Sequence, residues 1–365
     1  MNRGIFIFLA AIAIIGLAGL YVLQHGQALF IGRPPTDLIV FVSTRGGQTD
    51  IWTMKADGAD KRRITNDPAE DASPDWSPQA TEILSVSNRE DSRYEVYVAS
   101  WNGKYLKRLT NSAGTKDLPG WSPDGKEIVF LASGTVHIRS RFGGDDMQVI
   151  PTVEQGVTQF PRPYVSAEWS PNYRTLAVVE DADRGQVGTV REDFENTDRK
   201  PIPLAIAEYV DVAWAKQGYR IATAFTVRRE EGSTGESGIL VADIGSMKGG
   251  DILIMEGDTT GPGNPAWSPD GKLIAFEMWQ VRKRVREKCI GLYVIDAEGG
   301  KPRLLVKGEA MDPTWSSDGK YVAYTLARED GKRDIWRIGM DGKGAVNLTG
   351  GEGDNFQPEW SPPTL

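Results

Sequence analysis

The sequence predicts an all-β fold built from repeated four-stranded units. The composition, with 40% hydrophobic residues and 41 Gly, indicates a globular chain that is rich in turns. The first six of seven recurring tryptophans are each followed by a tight-turn sequence and then by a run of β-branched and aromatic residues. The seven are spaced 45 to 53 residues apart: Trp76, Trp121, Trp169, Trp214, Trp267, Trp315 and Trp360.

Each repeat begins with a strand that ends at the Trp. The turn that follows is clearest at Trp121-Ser-Pro-Asp-Gly125, where Pro presets φ, Asp can bond the turn backbone and Gly accepts a positive φ. Trp214-Ala-Lys-Gln-Gly218 keeps the Trp and the Gly but lacks Ser, Pro and Asp. A scaffold tolerates this loss, whereas a repeated active site would not. We therefore expect Trp121 and its counterparts to pack between neighbouring repeats.

Three more strands complete each repeat. In the second repeat they include Glu95-Val-Tyr-Val98 and end at Arg108-Leu-Thr110, and four short strands per 45–48 residues are typical of a β-propeller blade. The first repeat lacks a Trp strand, and residues 356–360 supply one at the C-terminus, so the two fragments close the ring and leave no open sheet edge. The sequence predicts seven blades. Six is the alternative, because residues 184–200 are irregular.

These Trp-Ser-Pro-Asp-Gly-Lys repeats resemble the TolB-like β-propeller family, a WD-type family. The resemblance covers about residues 36–365 and implies the propeller fold. The Tol–Pal member of that family has an α/β domain before a six-bladed propeller, whereas the hydrophobic segment here leads directly to the first strand. We infer the family and not the Tol–Pal role.

The N-terminus predicts a signal-anchor helix. Residues 5–23 are uncharged and follow Arg3, and 19 helical residues span about 28 Å, close to the bilayer hydrocarbon thickness. The positive charge predicts a cytoplasmic stub at 1–4, a linker at 24–36 and a periplasmic or extracellular propeller at 37–365, in a single-pass protein of the cell membrane. The alternative is a cleaved signal and a secreted propeller.

The composition restricts the partners and the kinds of site that the chain can have. A net charge of −8 argues against a nucleic-acid partner. One Cys and two His exclude an internal disulfide and make a Cys/His pair or a His-built metal site nearly impossible. We expect no cofactor and a monomer. A structural cation is a weaker alternative, since Asp181-Ala-Asp183 resembles part of a calcium loop.

Strand direction assigns the loops to two faces. The turns after the Trp strands share one face and are short, which we call the short-turn face. The opposite, long-loop face carries the longer segments 152–165, 227–238, 256–264 and 280–288. Because the linker joins the short-turn side, we expect the long-loop face to point away from the membrane and to bind ligands.

Candidate binding residues on this face form three groups. We expect the acidic residues to approach the mouth of a central channel. There they either form a structural network with the arginines or bind a cation or a basic peptide terminus. The basic loop is a solvated hairpin tip or a docking site for an acidic partner or an anionic envelope polymer. The groups are the acids Asp71, Asp117, Asp211, Asp312 and Asp354; the arginines Arg45, Arg89, Arg228 and Arg328; and the basic-loop residues Arg282, Arg284 and Arg286.

The sequence contains no recognisable catalytic motif. Gly235-Glu-Ser-Gly lacks the last Gly of the Gly-x-Ser-x-Gly nucleophile elbow. We therefore expect a non-enzymatic scaffold that binds an envelope protein or peptide. The alternative is a carboxylate-based hydrolase or carbohydrate-active enzyme with its site at the channel mouth.

Overall fold

The structure is a computed structural model, and it describes residues 35–90, 92–148, 164–171, 175–180, 187–191, 200–201, 208–227, 236–244, 248–256, 259–282 and 285–363. The predicted anchor at 5–23 and the possible cation loop at 181–183 lie outside these ranges. Across the residues that are described, no helix is long and apolar enough to cross a membrane.

The described strands form seven four-stranded antiparallel sheets, which we call blades 1 to 7. Blade 1 contains β1 (Leu38–Ser43), β2 (Asp50–Lys55) and β3 (Arg62–Arg63). Blade 2 contains β4 (Asp71–Trp76), β5 (Glu82–Ser87), β6 (Glu95–Ser100) and β7 (Leu106–Arg108). Blade 3 contains β8 (Lys116–Trp121), β9 (Glu127–Ala132), β10 (Thr135–Ser140) and β11 (Met147–Gln148). Blade 4 contains β12 (Tyr164–Trp169), β13 (Thr175–Glu180), β14 (Val187–Arg191) and β15 (Lys200–Pro201).

The remaining blades follow the same order. Blade 5 contains β16 (Glu208–Trp214), β17 (Arg220–Val227), β18 (Glu236–Asp243) and β19 (Lys248–Glu256). Blade 6 contains β20 (Thr260–Trp267), β21 (Leu273–Arg282), β22 (Val285–Asp296) and β23 (Arg303–Lys307). Blade 7 contains β24 (Ala310–Trp315), β25 (Tyr321–Ala327), β26 (Arg333–Gly339) and β27 (Val346–Asn347). The last strand, β28 (Asn355–Trp360), joins blade 1.

The ring is closed by the two ends of the propeller sequence, as the sequence predicted. β28 pairs antiparallel with β1, with Ile39 opposite Trp360 and Ser43 opposite Asn355. Each Trp strand contacts the Trp strand of the next blade, and β28 contacts β4. The prediction of an all-β propeller is confirmed.

The repeated tryptophans pack between blades. Trp121 is 7% exposed and lies in one apolar cluster with Leu84 of blade 2 and with Ile128 and Phe130 of its own blade. Its indole Nε1–H donates to the backbone oxygen of Asp75 in blade 2, at 3.3 Å. Trp76, Trp214, Trp267 and Trp315 also donate from the indole to a backbone oxygen of the preceding blade, so at these five positions an apolar contact and a directed hydrogen bond together fix the angle between neighbouring blades.

The Ser-Pro-Asp-Gly segments are structural turns. The Ser122 hydroxyl donates to Asp124 Oδ1 at 2.9 Å and accepts from the Glu127 N–H at 2.9 Å. Gly125 adopts a φ of +69°, which favours glycine. Two other blades repeat these contacts with Ser268 and Ser316 in place of Ser122.

One predicted loop is wrong. Segment 280–288 is mostly strand, because β21 continues to Arg282 and β22 begins at Val285. Alternating apolar and polar residues there extend the ladder, with Trp279 opposite Cys289 and Gln280 opposite Lys288. Blade 6 thus has strands of 10 and 12 residues where blade 2 has strands of 6.

Candidate functional site

The seven Trp strands surround a central channel that contains a cavity of about 530 Å³. Every Trp strand contributes lining residues, all located between four positions before the Trp and the Trp itself. Because these strands run toward the short turns, the cavity lies at the long-loop end of the channel, which we call the channel mouth. Its volume is within the usual range of ligand sites.

A repeated β-bulge shapes the channel mouth. In blade 2 the pairing register shifts between Ala72 and Asp75, and blades 3, 6 and 7 show equivalent shifts. The residue three positions before the Trp is thereby turned toward the cavity, in a left-handed backbone that non-glycine residues rarely adopt. Five of these mouth residues have a φ of 46–54°: Ser73, Leu118, Asn264, Asp312 and Gln357.

Hydrogen bonds between mouth residues link one blade to the next. The Asn264 N–H donates to Asp211 Oδ2 and the Gln357 N–H to Asp312 Oδ2, each at 3.3 Å. The Ser73 N–H donates to Gln357 Oε1 at 3.1 Å. Side chains of the preceding blade therefore satisfy these three strained backbone amides, whereas the Leu118 N–H donates to Asp117 Oδ1 of its own blade. These bonds make the rim a preorganised polar surface.

The opposite side of the mouth is apolar. Leu118 lines the cavity and is 43% exposed, and Val165 and Val212 line it from the next two blades. Blades 3 to 5 thus contribute the apolar residues of the cavity, next to Asp211 of blade 5, whereas the residues that blades 6, 7, 1 and 2 contribute at the mouth are polar.

Three carboxyl groups lie one layer deeper, on residues that directly precede a Trp. Asp75 Oδ2 accepts from the Trp121 N–H at 2.9 Å, and Glu359 Oε2 accepts from the Trp76 N–H at 3.1 Å. Glu168 accepts the backbone N–H of Trp214 in the same way. These carboxyls therefore have a structural role, since each satisfies a backbone amide of the next blade.

Burial governs the protonation of this layer. It raises the pKa of Glu168 to about 8, and the nearby Asp75 carboxylate adds to the effect. Burial also raises the pKa values of both Glu359 and Asp75, which hydrogen-bond each other through their carboxyls. No Lys or Arg within the described ranges forms an ion pair with these three groups, so the pair retains a proton near neutral pH.

The predicted acidic ring is only partly at the mouth. Asp211 and Asp312 line the cavity, and Asp117 touches the rim by accepting from the Ser73 hydroxyl at 3.3 Å. Asp71 is instead buried against Arg89 at 2.8 Å, and Asp354 pairs with Arg333 at 2.5 Å. The expectation that all five approach the channel was wrong, because they stand three to six positions before the Trp and so point in different directions.

The predicted arginines hold loops in place. Arg89 contacts Asp67 as well as Asp71 and lies over the Tyr97 ring at 4.7 Å. Arg45 donates to the Thr349 oxygen, and Arg328 donates to the oxygens of residues 351 and 353. Arg228 and Arg284, and the side chain of Arg282, lie outside the described part of the structure.

Of the three predicted basic-loop residues, Arg286 is the one whose side chain the structure describes, and it reaches the mouth. Its Nη2 donates to the Pro262 oxygen at 2.8 Å, and its Nη1 lies 3.9 Å from Asp211 Oδ2. The guanidinium also lies over the Trp279 ring, 5.8 Å from its centroid.

Sequence reasoning missed the deeper carboxyls and Glu277. An alignment of the residue before each Trp reveals acids at three of the seven positions, namely Asp75, Glu168 and Glu359. Glu277 has no such signal, because its contacts depend on how blades 6 and 7 meet. Among the described residues, no three His, Cys, Asp or Glu side chains are grouped so that they could hold a metal ion.

Comparisons with known proteins agree with this architecture. Residues 31–155 match the family model described as the TolB beta propeller domain. The crystal structure of TolB from Acinetobacter baumannii superposes with a TM-score of 0.55 at 17% identity, covering 91% of this chain and 68% of that one. Residues 31–155 are thus similar to the TolB β-propeller domain, and the superposition shows that the chain has a β-propeller fold.

Two curated relatives match over shorter stretches of the chain. An uncharacterized protein of Agrobacterium fabrum, Atu1656, is 30% identical over 98 residues, which cover 26% of this chain and 30% of the relative. The Tol-Pal system protein TolB of Anaeromyxobacter dehalogenans is 49% identical over 43 residues, which cover 12% of this chain and 10% of the relative. The matches therefore span less than a third of either relative.

Proposed function

We propose that this chain is a non-enzymatic, membrane-anchored scaffold of the cell envelope that binds a protein or peptide at the channel mouth on its long-loop face. The observation that carries the proposal is the cavity of about 530 Å³, to which all seven Trp strands contribute. Rigid blades on every side give such a cavity a fixed shape, which lowers the ordering cost of binding.

The two-sided chemistry of the mouth favours a peptide segment. Leu118, Val165 and Val212 offer an apolar surface for a side chain. Across the cavity, Asn264, Asp312 and Gln357 offer polar groups that can bond a peptide backbone or a basic residue. A peptide presents both kinds of group within a few ångströms, whereas a purely ionic or purely apolar ligand would leave one side unmatched.

The relatives support the class of partner. TolB of Anaeromyxobacter dehalogenans is named as a Tol-Pal system protein, and we carry over from it only the expectation of an envelope partner. The uncharged segment 5–23 supports a membrane anchor with a cytoplasmic N-terminus and a propeller outside the cytoplasm. In this arrangement the short-turn face lies toward the membrane and the mouth faces away.

Site-directed crosslinking in intact cells tests the proposal. A photoreactive residue replaces Leu118 at the mouth or, as a matched exposed control, Tyr219 in a short turn of blade 5. We expect a discrete crosslinked partner from position 118 and none from position 219, with mass spectrometry identifying an envelope protein. The same discrete adduct from both positions, or none from position 118, would count against the mouth as the binding site.

A carboxylate-based hydrolase is the second candidate, favoured by the Asp75–Glu359 pair. Two carboxyls that share a proton inside a cavity have the raised pKa that a general acid requires. Incubation of the purified protein with peptide and oligosaccharide libraries, compared with the D75N/E359Q variant, decides between the two functions. Hydrolysis that disappears in the variant would establish the enzyme; the scaffold predicts no turnover in either protein.

A further inference from the structure

Glu277 has a buried carboxyl that lies outside the channel and hydrogen-bonds two residues of the channel mouth. It is 4% exposed and does not line the cavity. Its Oε1 accepts from Asn264 Nδ2 at 3.0 Å and from the Asp312 N–H at 2.8 Å. Asn264 belongs to blade 6 and Asp312 to blade 7, so one carboxyl joins two mouth residues of adjacent blades.

An acid is unusual at this position of a blade. Counted from the residue that pairs with the Trp, the equivalents of Glu277 in blades 2, 3 and 4 are Val86, Leu131 and Val179, and all three are buried. A buried carboxyl costs free energy that these apolar residues do not, unless its hydrogen bonds offset the cost. The hydrogen bonds that Glu277 accepts stabilise the left-handed backbones of Asn264 and Asp312.

The same carboxyl also holds the long hairpin of blade 6. Trp279 Nε1 donates to Glu277 Oε2 at 2.7 Å, and Arg286 lies over the Trp279 ring. Arg286 then returns to the mouth through Pro262 and Asp211. Gly263 leaves room for it, since a Cβ there would lie 2.5 Å from the guanidinium.

We propose that Glu277 is the positioning residue of the channel mouth, which links the shape of the rim to the β21–β22 hairpin and makes both respond to protonation of this one carboxyl. This inference rests on the proposed binding function, because it identifies how the binding surface is held. Glu277 itself does not touch the ligand.

The charged and titratable groups around Glu277 determine whether its contribution to stability rises or falls with pH. Burial, followed by the Asp312 carboxylate of β24, raises the pKa of Glu277 to about 7 against the three hydrogen bonds. The Cys289 thiol of β22 faces it with a pKa that burial raises to about 11, so it stays neutral, and Asn264 of β20 is uncharged. Arg286 acts through the Trp279 ring. The contribution of Glu277 to the stability of the fold is therefore fully present below its ordinary pKa and is lost as pH rises through about 7, although the three hydrogen bonds themselves favour the carboxylate. Deprotonation thus changes the environment of both hydrogen-bond partners at the same pH.

A ligand-free NMR titration tests the inference. The indole N–H signal of Trp279, assigned by its disappearance in Trp279→Phe, and the backbone amide of Asp312 are followed from pH 5 to 9. We expect both signals to titrate together with a midpoint near 7. The indole of Trp315, which donates to the Ala266 oxygen, is the control that does not follow this transition.

Two variants separate positioning from general stability. Glu277→Gln keeps an oxygen for Asn264 and Asp312 but has no titratable proton, so both transitions should vanish while the fold persists. Trp279→Phe removes only the hairpin link, so the Asp312 amide should still titrate. The inference is overturned if the two signals titrate at different pH, or if the Asp312 transition survives in Glu277→Gln. If Glu277→Gln does not fold, loss of the Asp312 transition in Trp279→Phe overturns the inference instead. Because the NMR titration uses no ligand, its outcome does not depend on the outcome of the crosslinking experiment.

Discussion

At the scale of single residues, burial holds every repeated Trp, and directed hydrogen bonds add to it at positions such as Trp121. Trp121 loses nearly all its solvent contact between blades 2 and 3, and its backbone N–H is bonded by the Asp75 carboxyl. The apolar cluster supplies the larger stabilisation, while the hydrogen bonds fix orientation.

Trp121→Ala should therefore destabilise the propeller strongly. The expected loss is about 3–5 kcal/mol in the free energy of unfolding, measured by urea denaturation, because a large cavity replaces the indole. Tyr219→Ala, an exposed aromatic control, should change stability by less than about 0.5 kcal/mol. Equal effects of the two substitutions would show that Trp121 does not wedge the blades.

Glu168 makes stability depend on pH. Its folded pKa is raised, so its contribution is fully present below its ordinary pKa and is lost as pH rises through about 8. Glu168→Gln, which can still accept the Trp214 N–H, should match the wild type near pH 4 and exceed it by at least about 1 kcal/mol at pH 9. Parallel stability curves in urea titrations across this range would contradict the assignment.

At the scale of elements, the blade depends on close contact between its outer strands. A Cβ at Gly238 would lie 2.0 Å from the Leu253 backbone oxygen and 2.8 Å from the Phe225 ring. In contrast, a Cβ at Gly263 would meet only the flexible end of Arg286.

Gly238→Ala should separate β18 from β19 and cost more than about 2 kcal/mol of unfolding free energy, whereas Gly263→Ala should cost less than about 1 kcal/mol. Thermal and urea unfolding of the two variants checks the difference. A result in the opposite order would mean that the outer strand pair does not constrain blade 5.

The sequence predicted the elements that rest on local chemistry and missed those that rest on contacts between blades. The Trp spacing and the turn at Ser122–Gly125 defined the strands, because period and turn residues are local signals. The bulge at Leu118 could not be predicted, since an unfavourable backbone in a leucine is imposed by its neighbours. The extended β21–β22 hairpin was also missed, because its basic residues are typical of a loop.

At the scale of the whole molecule, the ring is closed by β28. Removal of residues 355–365 should expose the edge of β1 and abolish cooperative unfolding, because blade 1 would lose its inner strand and its hydrogen bonds to Ser43 and Leu38. A synthetic peptide of residues 355–365 should restore the circular dichroism melt of the wild type. An unchanged melting temperature after truncation would show that closure by β28 is dispensable.

The channel is the feature that connects this ring to function. Gly120 directly precedes Trp121 in blade 3 and lines the cavity. Its φ is not positive, so its backbone does not require a glycine. An added Cβ there would make ordinary contacts with Val129 Cγ1 at 3.4 Å and Asp75 Oδ2 at 3.9 Å, so we expect a large side chain to extend into the channel.

The most direct measurement is therefore crosslinking from position 118 in the Gly120→Phe background. We expect the partner adduct to fall at least tenfold, while the circular dichroism melt stays within a few degrees of the parent protein. An adduct of undiminished yield in a folded Gly120→Phe protein would contradict the claim that the channel mouth is the binding site.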